Sequence, residues 1–220
     1  MKWVIGIDEV GRGPLAGPIT VGAVAIRAER EVRNLAEAVC LADKKIFSGI
    51  KDSKKLSEKQ RFEWAAKLNL DVRRPNERGS PTFMQFAIAS VGPRIIDRIG
   101  IARAARRAVA QCLRSLKSQI KEKNFTGRSI VLLDGSLYAP PSFAMQQTII
   151  KGDELVPIIA AASIVAKIHR DGIMVRLHRK YPQYRFDAHK GYGTALHRAG
   201  IAIYGLTPEH RSTFCSKMVS

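Results

Sequence analysis

The stretch Trp3-Val4-Ile5-Gly6-Ile7-Asp8-Glu9-Val10-Gly11-Arg12-Gly13-Pro14-Leu15-Ala16-Gly17-Pro18 constrains this chain more than any other. An apolar run ends in two adjacent carboxylates and passes at once into a glycine-rich turn carrying a single arginine. Short apolar runs bounded by turn signals form buried strands. Carboxylates at the mouth of such a strand need a cation or a positive partner. Two readings of Asp8-Glu9 are open at this point: a strand end with its cap, or part of an active site. Neighbouring side chains on a regular strand point to opposite faces, so the pair shares one site only if the strand ends or twists there.

The remainder of the chain supplies similar strand ends. Ile19 to Ile26 is β-branched and follows closely enough for an antiparallel hairpin. Helical spacing runs from Glu29 to Ala42, and Asp43 to Lys51 reads as a polar loop. Ser57 and Gln60 form a capping box that opens a helix extending to about residue 68. The lysines just before it, Lys51, Lys54 and Lys55, suit either a solvated face or a phosphate grip. Asp71 to Pro81 is a loop rich in Arg, Asn, Gly and Pro; Phe83 to Val91 is a third strand. A short helix near Pro93 includes Asp97, and an amphipathic one spans Ile101 to about residue 123, its arginines on the solvated side. Ser129 to Ser136 repeats the opening logic, an apolar strand ending at Asp134-Gly135. Met145 to Lys151 is an edge-like strand running into Gly152-Asp153, after which a long helix starts at Pro157. Residues 181–220 alternate turn residues with short helical patterns. Consecutive strands first and crossover helices later imply a mixed sheet with helices on its faces.

Four carboxylates, Asp8, Glu9, Asp134 and Asp153, thus lie at strand or loop ends. If they converge they repel one another, and divalent cations with oxygen ligands are the natural compensation. Two such ions can activate water and stabilise the leaving oxygen of a phosphodiester. The chain carries 37 Lys+Arg against 19 Asp+Glu, a net charge of +18, which points to a polyanionic partner and above all to nucleic acid. A generally basic surface without such a partner is the alternative. Cys40, Cys112 and Cys215 include no CxxC pair and the five histidines no HxxxH pair, which argues against a disulfide framework and against zinc. No apolar run reaches the ~18–20 residues of a membrane span, and Met1-Lys2 leads straight into the first strand, so a cytoplasmic protein is expected.

Gly11-Arg12-Gly13-Pro14-Leu15-Ala16 also fits a GxGxxA dinucleotide pattern, but that fingerprint requires a helix to follow. Pro14, Gly17 and Pro18 lead instead into a β-branched run, and the Lys-Ser/Thr ending of a P-loop is absent. The glycines better suit close approach of backbone to a sugar-phosphate. His189-Lys190-Gly191-Tyr192-Gly193-Thr194 places an aromatic ring between glycines beside basic residues, suited to stacking on a sugar or base. A tyrosine packed beneath a loop is the plainer reading.

Taken together, these motifs resemble ribonuclease HII, the type 2 ribonuclease H family. The resemblance runs from Gly6 to Pro18 through Asp52-Ser53-Lys54-Lys55-Leu56-Ser57, Leu133-Asp134-Gly135 and Lys151-Gly152-Asp153. It continues through Ala160 to Lys167 with Arg170-Asp171, then Tyr181-Pro182, His189 to Thr194 and Pro208-Glu209-His210-Arg211-Ser212. It implies an α/β fold, a ribonuclease H-like mixed five-stranded sheet flanked by helices, with a catalytic core over 1–180 and a C-terminal helical segment over 181–220 packed on it. It implies that Asp8, Glu9, Asp134 and Asp153 are catalytic and hold two Mg²⁺ or Mn²⁺ ions, Asp8 and Asp153 directly. Gly11, Arg12 and Gly13 with Tyr192 would sense the ribose 2′-hydroxyl, and Lys54 and Ser163 would contact backbone phosphate. The implied reaction is cleavage of RNA in RNA–DNA hybrids and 5′ of single ribonucleotides in duplex DNA, leaving 3′-hydroxyl and 5′-phosphate ends, for ribonucleotide and primer removal. A monomer is expected, and no clamp-binding peptide is recognisable at Lys217-Met218-Val219-Ser220. Two departures stand out: residues 29–51 form a longer link than is usual, and Ile96 to Ile101 replaces a stretch that generally carries an Asn. A catalytically silent RNA-binding protein and a metal nuclease acting on DNA branches are the competing classes.

Overall fold

In the computed structural model the described residues are 2–28, 30–42, 45–50, 53–72 and 83–216. Lys51 and Asp52, most of the Arg- and Pro-rich loop before Phe83, and the terminal peptide 217–220 lie outside them, as does the Cys40 side chain. Strands β1 (Trp3–Val10) and β2 (Ile19–Arg27) form the expected antiparallel hairpin, pairing Trp3 with Arg27 and Val10 with Thr20. Helices α1 (Leu35–Ala42) and α2 (Glu58–Lys67) precede β3 (Met84–Val91), which pairs antiparallel with β2. Helices α3 (Pro93–Ile99) and α4 (Ile101–Ile120) lead to β4 (Ser129–Asp134) and β5 (Met145–Ile149). The short α5 (Gly152–Leu155) and long α6 (Pro157–Lys180) follow, then α7 (Phe186–His189), α8 (Ala195–Tyr204) and α9 (Ser212–Cys215). β1 and β5 each pair parallel with β4, giving a mixed sheet in the order β3-β2-β1-β4-β5.

Two local boundaries differ from the periodicity. The first helix begins at Leu35, later than the spacing from Glu29 (itself outside the described residues) implies, because Asn34 caps it: Asn34 Oδ1 accepts from the Glu37 amide at 2.9 Å, and the Glu37 carboxylate accepts from the Arg33 amide at 3.0 Å. The strand expected to run to Lys151 stops at Ile149, and Lys151 adopts a left-handed backbone (φ 55°), so Asp153, just beyond the strand, sits in the first turn of α5. The Ser57–Gln60 capping box forms as expected, Ser57 Oγ accepting from the Gln60 amide at 3.2 Å. The long link before the Ser53 turn contributes Val32, Ala38 and Phe47 to the core.

Strand alternation sorts the side chains into two layers. Trp3, Ile5, Ile7, Val131 and Leu133 pack with Ala105, Val109, Cys112 and Leu116 of α4. Val4, Ile130 and Leu132 face α6, where they meet Ile158, Ile159, Ala162 and Val165. α6 lies unusually close to the sheet because β1 and β2 present glycines to it. A Cβ added at Gly6 would stand 2.6 Å from the Ile158 carbonyl, and one at Gly22 2.3 Å from the Ala162 oxygen. Cys112 and Cys215 are buried free thiols, and among the described residues no helix is long and apolar enough to cross a membrane.

This contact sets the depth at which α6 carries its polar residues. Gly22→Ala is expected to destabilise the protein by about 1–3 kcal/mol through overpacking. Urea titration would read this as a lower midpoint with an unchanged slope. An unchanged midpoint would show that the helix shifts freely on the sheet.

Candidate active site

The carboxylate cluster grows out of the sheet register. The last pair between β1 and β4 is Ile7 with Leu133, so Asp8 and Asp134 occupy the next step of two adjacent parallel strands. By alternation both belong to the α6 face, whereas Glu9 starts on the other. The structure resolves that difficulty at the strand end: Asp8 Oδ1 accepts from the Glu9 amide at 2.7 Å, folding its carboxylate over the backbone. One oxygen each from Asp8, Glu9 and Asp134 then lies within 4.8 Å of the others.

Asp153, the fourth expected acid, is buried at 5% exposure and comes close enough to raise the pKa of Asp8 and Asp134 through its charge. Its Oδ2 accepts from Lys54 Nζ at 2.9 Å, so a lysine already compensates it. Gly152 donates its amide to Asp134 Oδ1 at 2.7 Å and thereby fixes α5 against β4. Ser163 is wholly buried rather than turned to solvent. Its hydroxyl lies 2.7 Å from that of Ser53 and hydrogen-bonds Asp8.

Electrostatics follow from this crowding. Burial pushes the Asp8 carboxyl well above its usual range, the Ser163 hydroxyl opposes the shift, and the charges of Glu9, Asp134 and Asp153 add to it. Glu9 is raised by burial against the pull of Arg12, whose Nη1 donates to Glu9 Oε1 at 3.0 Å. Asp134 is raised by burial and by Asp153, against the amides of Gly152 and Asp153. Glu9 Oε2 is buried with no hydrogen-bond partner. An orphaned anionic oxygen beside two further carboxylates is the donor set of a hard divalent cation, and the residues fit one.

The turn after Glu9 is held by two arginines that the sequence did not single out by mechanism. Arg211 donates to the carbonyls of Gly11 (2.6 Å), Arg12 (3.0 Å) and Gly17 (3.0 Å). Arg170 donates to those of Pro18 (3.0 Å), Ala16 (3.3 Å) and Lys190 (3.0 Å). Both are fully buried, and among the described residues no carboxylate forms an ion pair with either. Gly11 is obligatory here: its φ is 91°, and a Cβ would stand 2.1 Å from Arg170 Nε. Because Arg170 also holds Lys190, and Leu15 donates its amide to the Gly191 carbonyl at 2.9 Å, the Gly11–Gly13 turn and the Tyr192 loop form one unit. Tyr192 is 46% exposed, its ring 6.0 Å from the Arg170 guanidinium. Arg61 was also missed. It donates to the Ser53 and Leu56 carbonyls at 3.1 and 2.6 Å and pairs with Asp171, pinning the turn that carries Lys54. Of these arginines only Arg170 lies in a run that otherwise reads as buried, so Arg61 and Arg211 carried no local signal of burial.

The raised carboxyls fix the sign of the acid response. The folded state holds their protons more tightly than the unfolded chain, so their contribution is fully favourable below the ordinary carboxylate range. It is lost as pH rises through the shifted values. Without divalent metal, Asp8→Asn is therefore expected to raise the melting temperature at pH 7 and to flatten its decline as pH rises above the ordinary carboxylate range. A variant that melts below the parent in chelator would show that Asp8 is already compensated.

The comparisons agree with this geometry. A family model described as Ribonuclease HII matches residues 5–218. The chain is 41% identical over 211 residues to a ribonuclease HII from Chlamydia pneumoniae, covering 96% of this chain and 82% of the relative. It is 38% identical over 213 residues to one from Prochlorococcus marinus, covering 97% and 96%. Among solved structures, the ribonuclease HII in a complex with PCNA from Archaeoglobus fulgidus shares the fold. Its TM-score is 0.64 at 24% identity, over 99% of this chain and 95% of that one. A Bst-RNase HIII in complex with Mn²⁺ superposes with TM-score 0.64 at 16% identity, over 99% and 69%. Matched along nearly its whole length, the chain belongs to the ribonuclease HII family, endoribonucleases that hydrolyse the RNA strand of RNA–DNA hybrids.

Proposed function

We propose that this protein cuts duplex nucleic acid at ribonucleotides, including a single ribonucleotide embedded in DNA, on its 5′ side, leaving 3′-hydroxyl and 5′-phosphate ends. Such an activity would serve ribonucleotide removal from DNA and primer removal. The observation that carries the reading is the trio of buried Asp8 and half-buried Glu9 and Asp134, with its orphaned Glu9 oxygen, on the same rigid unit as an exposed Tyr192.

Asp8, Glu9 and Asp134 would hold divalent metal, two Mg²⁺ or Mn²⁺ ions during the reaction, with Asp153 completing the set. Such ions, when bound, activate water and stabilise the leaving oxygen of a phosphodiester. The chain's own residues do the rest. Ser163 and the Glu9 amide orient the Asp8 carboxylate; Arg12 steadies one oxygen of Glu9 and leaves the other open. Lys54, whose side chain is 71% exposed, can trade its bond to Asp153 for an incoming phosphate and so release the fourth carboxylate when substrate arrives. Gly11 and Gly13 let the turn backbone approach a ribose, and Tyr192 offers a ring to stack on it. A 2′-hydroxyl is what marks RNA at a given site. The net charge of +18 supplies sequence-independent, salt-sensitive affinity.

Two measurements test this reading. Asp134→Asn should abolish cleavage of a duplex containing one ribonucleotide in Mg²⁺ or Mn²⁺. The loss should exceed the about 10–100-fold expected of a residue that only orients a ligand. Equal cutting of an all-DNA duplex, or an unaffected variant, would sink the assignment; binding without cleavage would favour the silent RNA-binding class. Tyr192→Ala should weaken kcat/KM on the single-ribonucleotide duplex by the equivalent of about 1–3 kcal/mol of stacking. General duplex binding should fall much less, and an equal loss on both would remove Tyr192 from substrate discrimination.

A further inference from the structure

Behind the Tyr192 loop lie three imidazoles that the proposed chemistry does not use. The ring of His189 stacks on that of His197 with centroids 4.4 Å apart, and His197 Nε2 lies 3.1 Å from His210 Nε2. His197 is fully buried and His210 nearly so. Two nitrogens that close invite a metal reading, and the hydrogen bonds exclude it.

The proton positions follow from groups whose roles are fixed. The Thr207 amide donates to His210 Nδ1 at 3.0 Å, so that nitrogen carries no proton and the proton of a neutral ring sits on Nε2. From the other end, the Tyr192 carbonyl only accepts, and His197 Nδ1 lies 3.0 Å from it, so His197 carries its proton on Nδ1 and has a free lone pair on Nε2. Both ends give one direction: Thr207 amide to His210, His210 to His197, His197 to the Tyr192 carbonyl. A cation between the two Nε2 atoms would need the His210 proton on Nδ1, against the Thr207 amide. The third ring obeys the same logic. The Gly191 amide donates to His189 Nδ1 at 3.2 Å, which leaves Nε2–H for the Tyr184 carbonyl at 2.7 Å. Burial lowers the pKa of His197 and of His210 to about 4, with His189 adding to the shift of His197 and His197 to that of His210, so both are neutral near pH 7.

The consequence falls on one loop. Gly191 and Tyr192 are gripped by imidazole nitrogens on the side away from solvent, while Leu15 holds Gly191 from the Gly11–Pro18 turn and Arg170 holds Lys190 from α6. We infer that His189, His197 and His210 are positioning residues that set the orientation of Tyr192 toward the ribose through a directional chain of neutral imidazoles. This rests on Tyr192 touching substrate, as proposed above. The three rings reach no reacting atom themselves. They act through the backbone on either side of Tyr192, from a C-terminal segment that otherwise contributes nothing to the carboxylates.

Imidazole ¹⁵N NMR of the intact wild-type protein at pH 7 tests the chain directly. His197 should show the Nδ1–H tautomer, and His210 and His189 the Nε2–H tautomer; any reversed tautomer, or a protonated His197, overturns the inference. The functional half is tested by His197→Phe, which keeps a ring in the stack and removes both polar contacts. On the single-ribonucleotide duplex it should lower kcat/KM by about tenfold alone and by less than about twofold in a Tyr192→Ala background. His197→Gln, which retains a donor and an acceptor, should recover part of the loss. Losses that multiply in the double variant would overturn the positioning role. Should Tyr192→Ala by itself leave cleavage intact, the Tyr192 reading fails and the functional half of this inference falls with it, even with the tautomers as described.

Discussion

Repulsion among Asp8, Glu9 and Asp134 is the constraint on which the remaining structure depends. Three carboxylates with oxygens inside 4.8 Å, raised in pKa by burial and by neighbouring acids, do not collect unless something holds them. Here the sheet does. Two parallel strands in register deliver Asp8 and Asp134 side by side at the same edge, and well-packed apolar layers on both faces keep those strands in place. The local strain is distributed over small contacts: a serine hydroxyl and an amide for Asp8, an arginine for Glu9, the Gly152 amide for Asp134, a lysine for Asp153. What they leave unmet among the described residues is the second oxygen of Glu9, where the proposed cation would bind.

The surroundings of the Gly11–Pro18 turn follow a complementary rule. Arg170 and Arg211 are buried against carbonyl oxygens rather than carboxylates. Carbonyl dipoles satisfy the guanidinium donors without cancelling their charge, so the turn stays rigid and the local field stays favourable to a polyanion. Burial and the charge of Arg170 lower the pKa of Arg211 to about 10, which still leaves it cationic at neutral pH. Buried charge held this way is destabilising in isolation, which is the pattern expected of a site kept for substrate rather than for stability. Asp97 completes the frame. Its carboxylate accepts from the amides and hydroxyls of both Ser212 and Thr213, tying α3 to α9 just beyond Arg211. Burial would raise the Asp97 pKa, but these hydrogen bonds outweigh it and hold the group below its ordinary value.

Much of this was readable along the chain because it depends on local pattern. Alternation and turn residues located all five strands, and the capping box at Ser57 located a helix start. Acids after apolar runs marked Asp8, Glu9 and Asp134. The misses share a cause. Residues 30–34 carry helical spacing in the sequence, yet the Asn34 cap sets the helix start at Leu35. Asp153 follows a strand-like run, yet a left-handed Lys151 turns it onto a helix. Ser163 was expected at phosphate on resemblance, but the close seating of α6 on Gly6 and Gly22 buries it against Ser53 and Asp8.

By itself the sequence determined the mixed sheet, the carboxylates at its strand ends and the family, because periodicity and contiguous motifs are one-dimensional properties. Tertiary structure alone decided which oxygen of Glu9 is left over, that Lys54 pairs with Asp153, that two arginines hold the Gly11–Pro18 turn and that three histidines stand behind the Tyr192 loop. Those facts depend on groups up to 200 positions apart, such as Arg211 and Gly11, meeting at hydrogen-bond distance. No local pattern encodes such a meeting; only the packing of α6 and the C-terminal segment against the strand edge brings it about.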